Sequence, residues 1–106
     1  QKPDGYDEAA VKPKWNAGKE AFFQEWAARL ETLAAVPAAG LEADFKALAA
    51  EKGLKVGEVL LPFRIMLTGG KFGPPVFDIA VTLGAAETRN RIEKALEVFK
   101  DPGAGI

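Results

Sequence analysis

An arginine inside an apolar run, next to a loop of glycine and proline, is the part of this sequence best suited to chemistry. Arg64 lies within residues 61–67, whose other members are all apolar, and Gly73, Pro74 and Pro75 follow. A guanidinium in such a run must reach water or a partner, because burying an unpaired charge is costly. The neighbouring loop offers exposed backbone groups and a rigid apolar edge. Together these residues predict a small binding site for an anionic ligand.

The composition argues against catalysis by this chain. Its 106 residues include neither cysteine nor histidine, which removes thiol nucleophiles, the usual general base and the usual soft metal ligands. A metal site made of carboxylates alone stays open, but the acidic residues occur one or two per helical turn, as is typical of solvated faces. We therefore expect no catalytic residue, no metal and no cofactor in this chain.

Charge and hydropathy favour a soluble domain with a local basic surface. No apolar run reaches the ~20 residues that a membrane helix requires, and the polar start without Met predicts a cytoplasmic segment cut from a longer chain. Net charge is −1 at pH 7, with −3 over residues 1–45 and +2 over residues 46–106. This balance disfavours a general nucleic-acid coat and suits binding at one site.

The residues that position the candidate site are predicted to be helical. Residues 1–18 are interpreted as an entry loop with a short helical turn near Asp7–Val11, attached to the body by Tyr6 and Trp15. Residues 19–100 form the domain, and residues 101–106 form a flexible tail. Apolar spacing and capping signals predict helices over the following segments: 19–36, 41–52, 56–68, 76–83 and 86–99.

The segment 56–68 is ambiguous by pattern alone. Its apolar residues suit a buried strand or a buried helix, and Pro62 is unfavourable in the middle of either. Its length favours a helix, closed by Thr68 and by left-handed turn chemistry at Gly69 and Gly70. The expected fold is therefore an all-α bundle of four to five short helices.

Four motifs in a fixed order connect this sequence to a known family. They are GLKVGEV at 53–59, PFRIMLTG at 62–69, GPPVFDI at 73–79 and ETRNRIEKAL at 87–96. Over about residues 6–100 the chain resembles the C-terminal anticodon-binding domain of bacterial glutamyl-tRNA synthetases, a class I family.

The resemblance implies a helical cage that receives the anticodon loop of glutamate tRNA. It also implies that attachment of glutamate to tRNA, with ATP and magnesium, belongs to a catalytic domain whose nucleotide-binding signatures this sequence lacks. The chain should bind tRNA as a monomer, without aminoacylating it and without DNA or membrane partners.

The resemblance also assigns the anticodon contacts. Arg64 falls on an arginine that reaches an anticodon base, and Gly73, Pro74 and Val76 fall on the loop that brackets these bases. Lys46 falls on a basic position of the second helix, where lysine keeps phosphate attraction and loses the bidentate fork of arginine. For Arg64 the alternative is a structural arginine paired with Asp78 or with a helix C-terminal carbonyl. The alternative for the loop is a plain turn, and for Lys46 a solvated lysine.

Other polar residues receive weaker assignments. Lys55 and Lys71 are candidate phosphate contacts. Arg89 and Arg91 are expected on the surface of the last helix, where charged faces are the default.

A rival hypothesis is a helical protein-interaction domain that docks a partner through the loop at 69–76.

Trp15 and Trp26 could stack on bases, but aromatic residues at helical spacing are more often core, and both are expected to be structural.

Overall fold

The computed structural model describes residues 6, 11–33, 36–70 and 73–99, without the side chain of Lys12. The described part of the chain contains five α-helices, a single 3-10 turn and no strand, which confirms the all-α prediction. The turn spans Lys12–Lys14, and the helices are α1 (Ala17–Leu30), α2 (Ala38–Glu51), α3 (Val56–Thr68), α4 (Val76–Leu83) and α5 (Ala85–Phe99).

The boundary between the first two helices differs from the prediction. Helix α1 begins after Asn16, whose side-chain oxygen accepts the Lys19 N–H at 2.9 Å, and it ends at Leu30 instead of continuing to 36. Pro37 is the N-cap of α2, so Gly40 lies in the first turn of that helix and does not end the previous one. The sequence pattern failed here because proline fits the start of a helix as well as the end of one.

Helix α3 resolves the ambiguity over 56–68 in favour of a helix. Pro62 is buried inside it, where its missing N–H leaves the Glu58 carbonyl without the usual helical donor. The helix stops at Gly69, whose φ of 86° is left-handed and whose N–H donates to the Ile65 carbonyl at 2.7 Å. Thr68 closes the turn as predicted, since its hydroxyl donates to the Arg64 carbonyl at 3.0 Å.

Aromatic side chains fill the centre of the domain. Phe45 stacks on Phe63 with ring centroids 5.2 Å apart, and Trp26 meets both rings edge-on. Trp26 is fully buried, which confirms its assignment to the core. Such edge and offset contacts add to the stabilisation that burial alone provides.

The entry segment is attached by two aromatic residues, as the sequence predicted. Trp15 stacks on Phe23 at 5.8 Å, and Tyr6 meets Phe99 edge-on at 5.5 Å between ring centroids. Burial raises the pKa of Tyr6 above its ordinary value, and the nearby Arg91 opposes that shift. Of the predicted turn at Asp7–Val11, all but the buried Val11 lies outside the described residues, as do Lys71 and the tail.

Arginine side chains join the helices, and one of them contradicts the prediction. Arg91 is not a surface residue: it is 6% exposed and donates to the Leu67 carbonyl in the last turn of α3 at 2.8 Å. Its Nε also donates to Glu87 at 2.8 Å. Its position explains the burial, because it falls on the inward stripe of α5 between Thr88 and Ala95. Arg89 is more exposed and pairs with Glu31 and Glu93 at the surface, as expected for a helix face.

The two N-terminal helices are tied together by charged pairs. Arg29 donates from Nε and Nη2 to the two carboxylate oxygens of Asp44, each at 2.9 Å. This hydrogen-bonded pairing lowers the pKa of Asp44 below its ordinary value. A second pair joins Lys52 Nζ to Glu25 at 2.8 Å. Within the described residues, no helix has the length and apolar content that a membrane crossing requires.

Candidate nucleic-acid interface

The Arg64 side chain and the loop before α4 form one structural unit. Arg64 Nη1 donates a hydrogen bond to the Pro74 carbonyl at 2.6 Å, linking the middle of α3 to a loop residue ten positions later. No ion pair joins Arg64 to Asp78 in the described part of the chain. The acceptor is a backbone carbonyl, as one structural alternative expected, but it belongs to the loop and not to a helix end.

This hydrogen bond orients the guanidinium and leaves other N–H donors of the group available. Arginine carries five N–H donors in a planar fork, and the Pro74 carbonyl accepts from Nη1. Among the described residues, no acceptor is hydrogen-bonded to Nε or Nη2, and the side chain is partly exposed. A fixed fork with unused donors can bind a base edge through two hydrogen bonds, stack on a base, or bind a phosphate.

The loop geometry requires glycine at its first described position. Gly73 has a φ of 147°, and a Cβ placed there would lie 3.5 Å from Arg64 Nη1. A side chain at this position would therefore strain the backbone, while its Cβ would lie in ordinary van der Waals contact with the guanidinium. Pro74 is exposed beside it and presents a rigid edge to solvent.

Val76 contributes differently from the other two loop residues. Its side chain is 3% exposed and packs in the core, so it anchors the start of α4 instead of presenting an apolar surface. Helix α4 begins here, after the N-cap Pro75, and its first N–H groups lack helical partners. Asp78 in the same first turn is exposed and partly offsets the positive end of the helix.

The two predicted lysines that the structure describes, Lys46 and Lys55, are not gathered at this unit. Lys46 is exposed on α2 and pairs with Glu42 at 3.0 Å, and no described contact links it to Arg64 or to Pro74. Lys55 is the N-cap of α3, where its backbone N–H donates to Glu58 at 3.2 Å. Its side chain is exposed, about 13 Å along the helix axis from Arg64 at 1.5 Å per residue. Lys71 lies outside the described residues.

Arg91 is the supporting residue that sequence reasoning missed. By holding the Leu67 carbonyl, it fixes the end of α3 from which the loop departs. The signal was present in its spacing, since residues 88, 91, 92, 95 and 99 are the buried stripe of α5. A charged residue on an apolar stripe indicates a buried polar contact.

Comparison with known proteins identifies the family. The family model described as an anticodon binding domain matches residues 1–96. The glutamate–tRNA ligase of Pelodictyon phaeoclathratiforme is 38% identical over 95 residues, covering 90% of this chain and 19% of the relative. That of Pelobacter propionicus is 40% identical over 95 residues, covering 90% of this chain and 20% of the relative.

A solved structure has the same arrangement of helices. The crystal structure of a glutamate tRNA ligase from Elizabethkingia meningosepticum, in complex with its amino acid, matches with a TM-score of 0.84 and 34% identity. The match covers 94% of this chain and 20% of that chain. The chain thus spans about a fifth of the length of the relatives that it matches. Sequence and fold agree over nearly the whole chain, which belongs to the anticodon-binding domain family in the form found in glutamate–tRNA ligases.

Proposed function

We propose that this chain binds the anticodon loop of glutamate tRNA, with Arg64 as the principal base contact. The observation that carries the proposal is the Arg64–Pro74 hydrogen bond, which holds a partly exposed guanidinium beside the Gly73 loop. Single-stranded loops are the part of RNA whose base edges proteins can reach. An oriented fork loses less conformational freedom on binding than a free side chain, so more of the interaction energy is kept.

The loop and the lysines complete this assignment. The exposed Pro74 edge and the backbone at Gly73 bracket a base held by Arg64, while Val76 positions the loop from the core. Lys46, Lys55 and Lys71 attract phosphates without reading sequence.

Catalysis is assigned to the whole protein and not to this chain. Its relatives are ligases about five times longer, and we propose that the whole protein attaches glutamate to tRNA with ATP and magnesium. This chain supplies RNA binding and no catalytic residue or cofactor.

The surface of the described residues does not favour the rival protein-docking function. Apolar docking requires an exposed apolar patch, and Val81 is the one large apolar side chain exposed in the described part of the chain. It lies in α4 and not in the loop at 69–76. The same sparse apolar surface supports a monomer. We place the protein in the cytoplasm, because the cysteine-free sequence suits a reducing compartment.

The test is a titration with a 17-nucleotide glutamate-tRNA anticodon stem-loop at two salt concentrations. We expect Arg64→Ala to weaken binding by about 1–3 kcal/mol, roughly 5- to 150-fold, and to reduce discrimination between anticodon sequences. Arg64→Lys keeps the charge but not the planar fork of N–H donors, so its affinity for the stem-loop should fall between those of the parent and of Arg64→Ala.

Arg89→Ala is the matched control, because it also removes one partly exposed arginine charge, from a surface ion-pair cluster. Equal losses for Arg64→Ala and Arg89→Ala would reduce the effect to net charge and contradict specific recognition. Binding that is insensitive to both salt and Arg64 would exclude the proposed RNA site.

A further inference from the structure

A groove lies along the same helix, between the entry segment and α3. The groove has a volume of about 450 Å³, within the range of small-molecule and nucleotide pockets. We call it the basic groove and define it by six of its lining residues: Lys14, Trp15, Lys19, Gly57, Glu58 and Leu61. None of them was assigned to RNA contact from the sequence.

Lys19 is the unusual member of this groove. It is 6% exposed, and its Nζ donates to the Lys14 carbonyl at 2.8 Å. An ammonium has three donors, yet no carboxylate among the described residues pairs with Lys19. Buried charges are normally paired, because removing them from water is costly. The groove therefore presents a cation that has no counter-charge among the described residues.

The other charged groups leave the groove basic. Lys14 is exposed and has no ion-pair partner in the described part of the chain. Among the lining residues that the structure describes, the one carboxylate is that of Glu58, which accepts the Lys55 backbone N–H at 3.2 Å. Two described ammonium groups against this carboxylate favour an anionic occupant.

The α3 side of the basic groove is aligned with Arg64 along the helix. Gly57, Leu61 and Arg64 are spaced by four and three residues, so they lie on one face of α3. At 1.5 Å per residue, Gly57 and Arg64 are about 10 Å apart along the helix axis. Outside the helix's own backbone, no described atom lies within 4 Å of a Cβ placed on Gly57, so this face of the helix is open toward the rest of the described structure.

We propose that the basic groove binds the backbone phosphate of a nucleotide that flanks the bases bound at Arg64. Lys19 and Lys14 contact the phosphate, and the strand passes over Leu61 and the bare backbone at Gly57. This inference rests on the proposed function. It adds a contact that positions the RNA strand without reading its sequence.

The test uses two variants that alter the groove by different means. Lys19→Met removes the buried charge, and Gly57→Leu fills the groove without changing charge. Lys52→Met is the matched control, because it removes an exposed lysine whose partner Glu25 lies on α1. Circular dichroism establishes that each variant is folded. Gly57→Leu keeps the test valid if Lys19→Met fails to fold, since the added side chain enters open space.

With the anticodon stem-loop as probe, we expect both groove variants to bind roughly three- to tenfold more weakly than the parent. The slope of log affinity against log salt should fall by about 0.7–1 for Lys19→Met only. Discrimination between anticodon sequences should be unchanged in both. Stem-loops that carry a single uncharged methylphosphonate linkage locate the contact. At one linkage position, this change should weaken RNA binding by the parent and leave RNA binding by Lys19→Met unchanged.

The possible failures are distinguishable. If Arg64→Ala weakens binding while both groove variants bind like the parent, the proposed function stands and the basic groove is not an RNA site. If the parent does not bind the stem-loop, both proposals fail. A parallel titration with inorganic phosphate distinguishes an RNA phosphate from a free phosphate ion. If inorganic phosphate binds at Lys19 and the groove variants bind the stem-loop as tightly as the parent does, the groove is a site for free anions and the inference is overturned.

Discussion

Replacing Arg91 should destabilise the domain far more than replacing Arg89, although the two lie two residues apart on one helix. The Arg91 side chain is buried and donates to the Leu67 carbonyl and to Glu87. Arg89 is 39% exposed and pairs only with carboxylates at the surface. Methionine is the substitution of choice at both positions, because it keeps most of the apolar stem and removes the charge.

The magnitude follows from the bonds that are lost. Each hydrogen bond to a charged group contributes about 1.5–3 kcal/mol, and a buried acceptor left unpaired carries a penalty of similar size. The Leu67 carbonyl lies in the last turn of α3, which ends at Thr68, so no N–H within that helix can replace Arg91. We therefore expect Arg91→Met to lower the free energy of unfolding by about 2–4 kcal/mol. Exposed ion pairs contribute about 0–1 kcal/mol, which bounds the loss for Arg89→Met.

Urea unfolding followed by tryptophan fluorescence measures the difference directly. Trp26 is fully buried, so its emission reports the loss of the core. The expected loss for Arg91→Met corresponds to a fall in melting temperature of roughly 10–25 °C for a domain of this size. Equal destabilisation by the two variants, or a loss below about 1 kcal/mol for Arg91→Met, would refute the assignment of Arg91 as the buried support of α3.

Three further predictions concern turns, charge pairs and the exposed lysine. Gly69→Ala should destabilise the fold by about 1–2 kcal/mol, because alanine disfavours the left-handed φ of 86° at the end of α3. Gly57→Ala should instead stabilise the fold by about 0.5–1 kcal/mol, because alanine favours a helix more than glycine does. If both substitutions shift urea unfolding in the same way, the turn geometry at Gly69 is contradicted. The pKa of Asp44 is lowered in the fold by its hydrogen bond to Arg29, so its contribution to stability is complete above the ordinary value of 3.8 and is lost as pH falls through the lower folded value. Asp44→Asn should accordingly lower stability by up to about 1 kcal/mol at pH 7, and a gap from the parent that stays constant down to pH 2 would argue against the pairing. Lys46→Gln should change the free energy of unfolding by less than about 0.5 kcal/mol, because the pair of Lys46 with Glu42 is exposed. In stem-loop titrations, a phosphate contact by Lys46 predicts that the variant reduces the slope of log affinity against log salt by about 0.7–1. An unchanged slope would make Lys46 an ordinary solvated lysine.

Helix identity was largely predictable, because it depends on local periodicity and capping. The stripe through Phe22, Trp26 and Leu30 and the terminator Gly84 each indicate one helical face or end. The error lay around residues 31–40, where Pro37 starts α2 and does not end α1. Proline and glycine mark a boundary, but they do not say on which side the helix lies.

The candidate site was predictable only in part. The sequence places Arg64 near Gly73 and Pro74, and the motif order points to RNA binding. It does not give the acceptor of Arg64, which is the Pro74 carbonyl, because a ten-residue separation has no fixed geometry across a loop. The buried core position of Val76 was likewise not evident, since its neighbours in the loop are exposed.

Local patterns and motif order were sufficient to predict the helical class, the family and an arginine next to a Gly/Pro loop. They were not sufficient to predict which charged residues are buried, because that depends on how the helices pack. Arg91 and Lys19 look like surface residues in the sequence, yet one holds the end of α3 and the other lines the basic groove. A side chain is buried when two helix faces meet over it. Arg91 and its acceptor Leu67 are 24 residues apart in the sequence, so no local pattern shows that they meet.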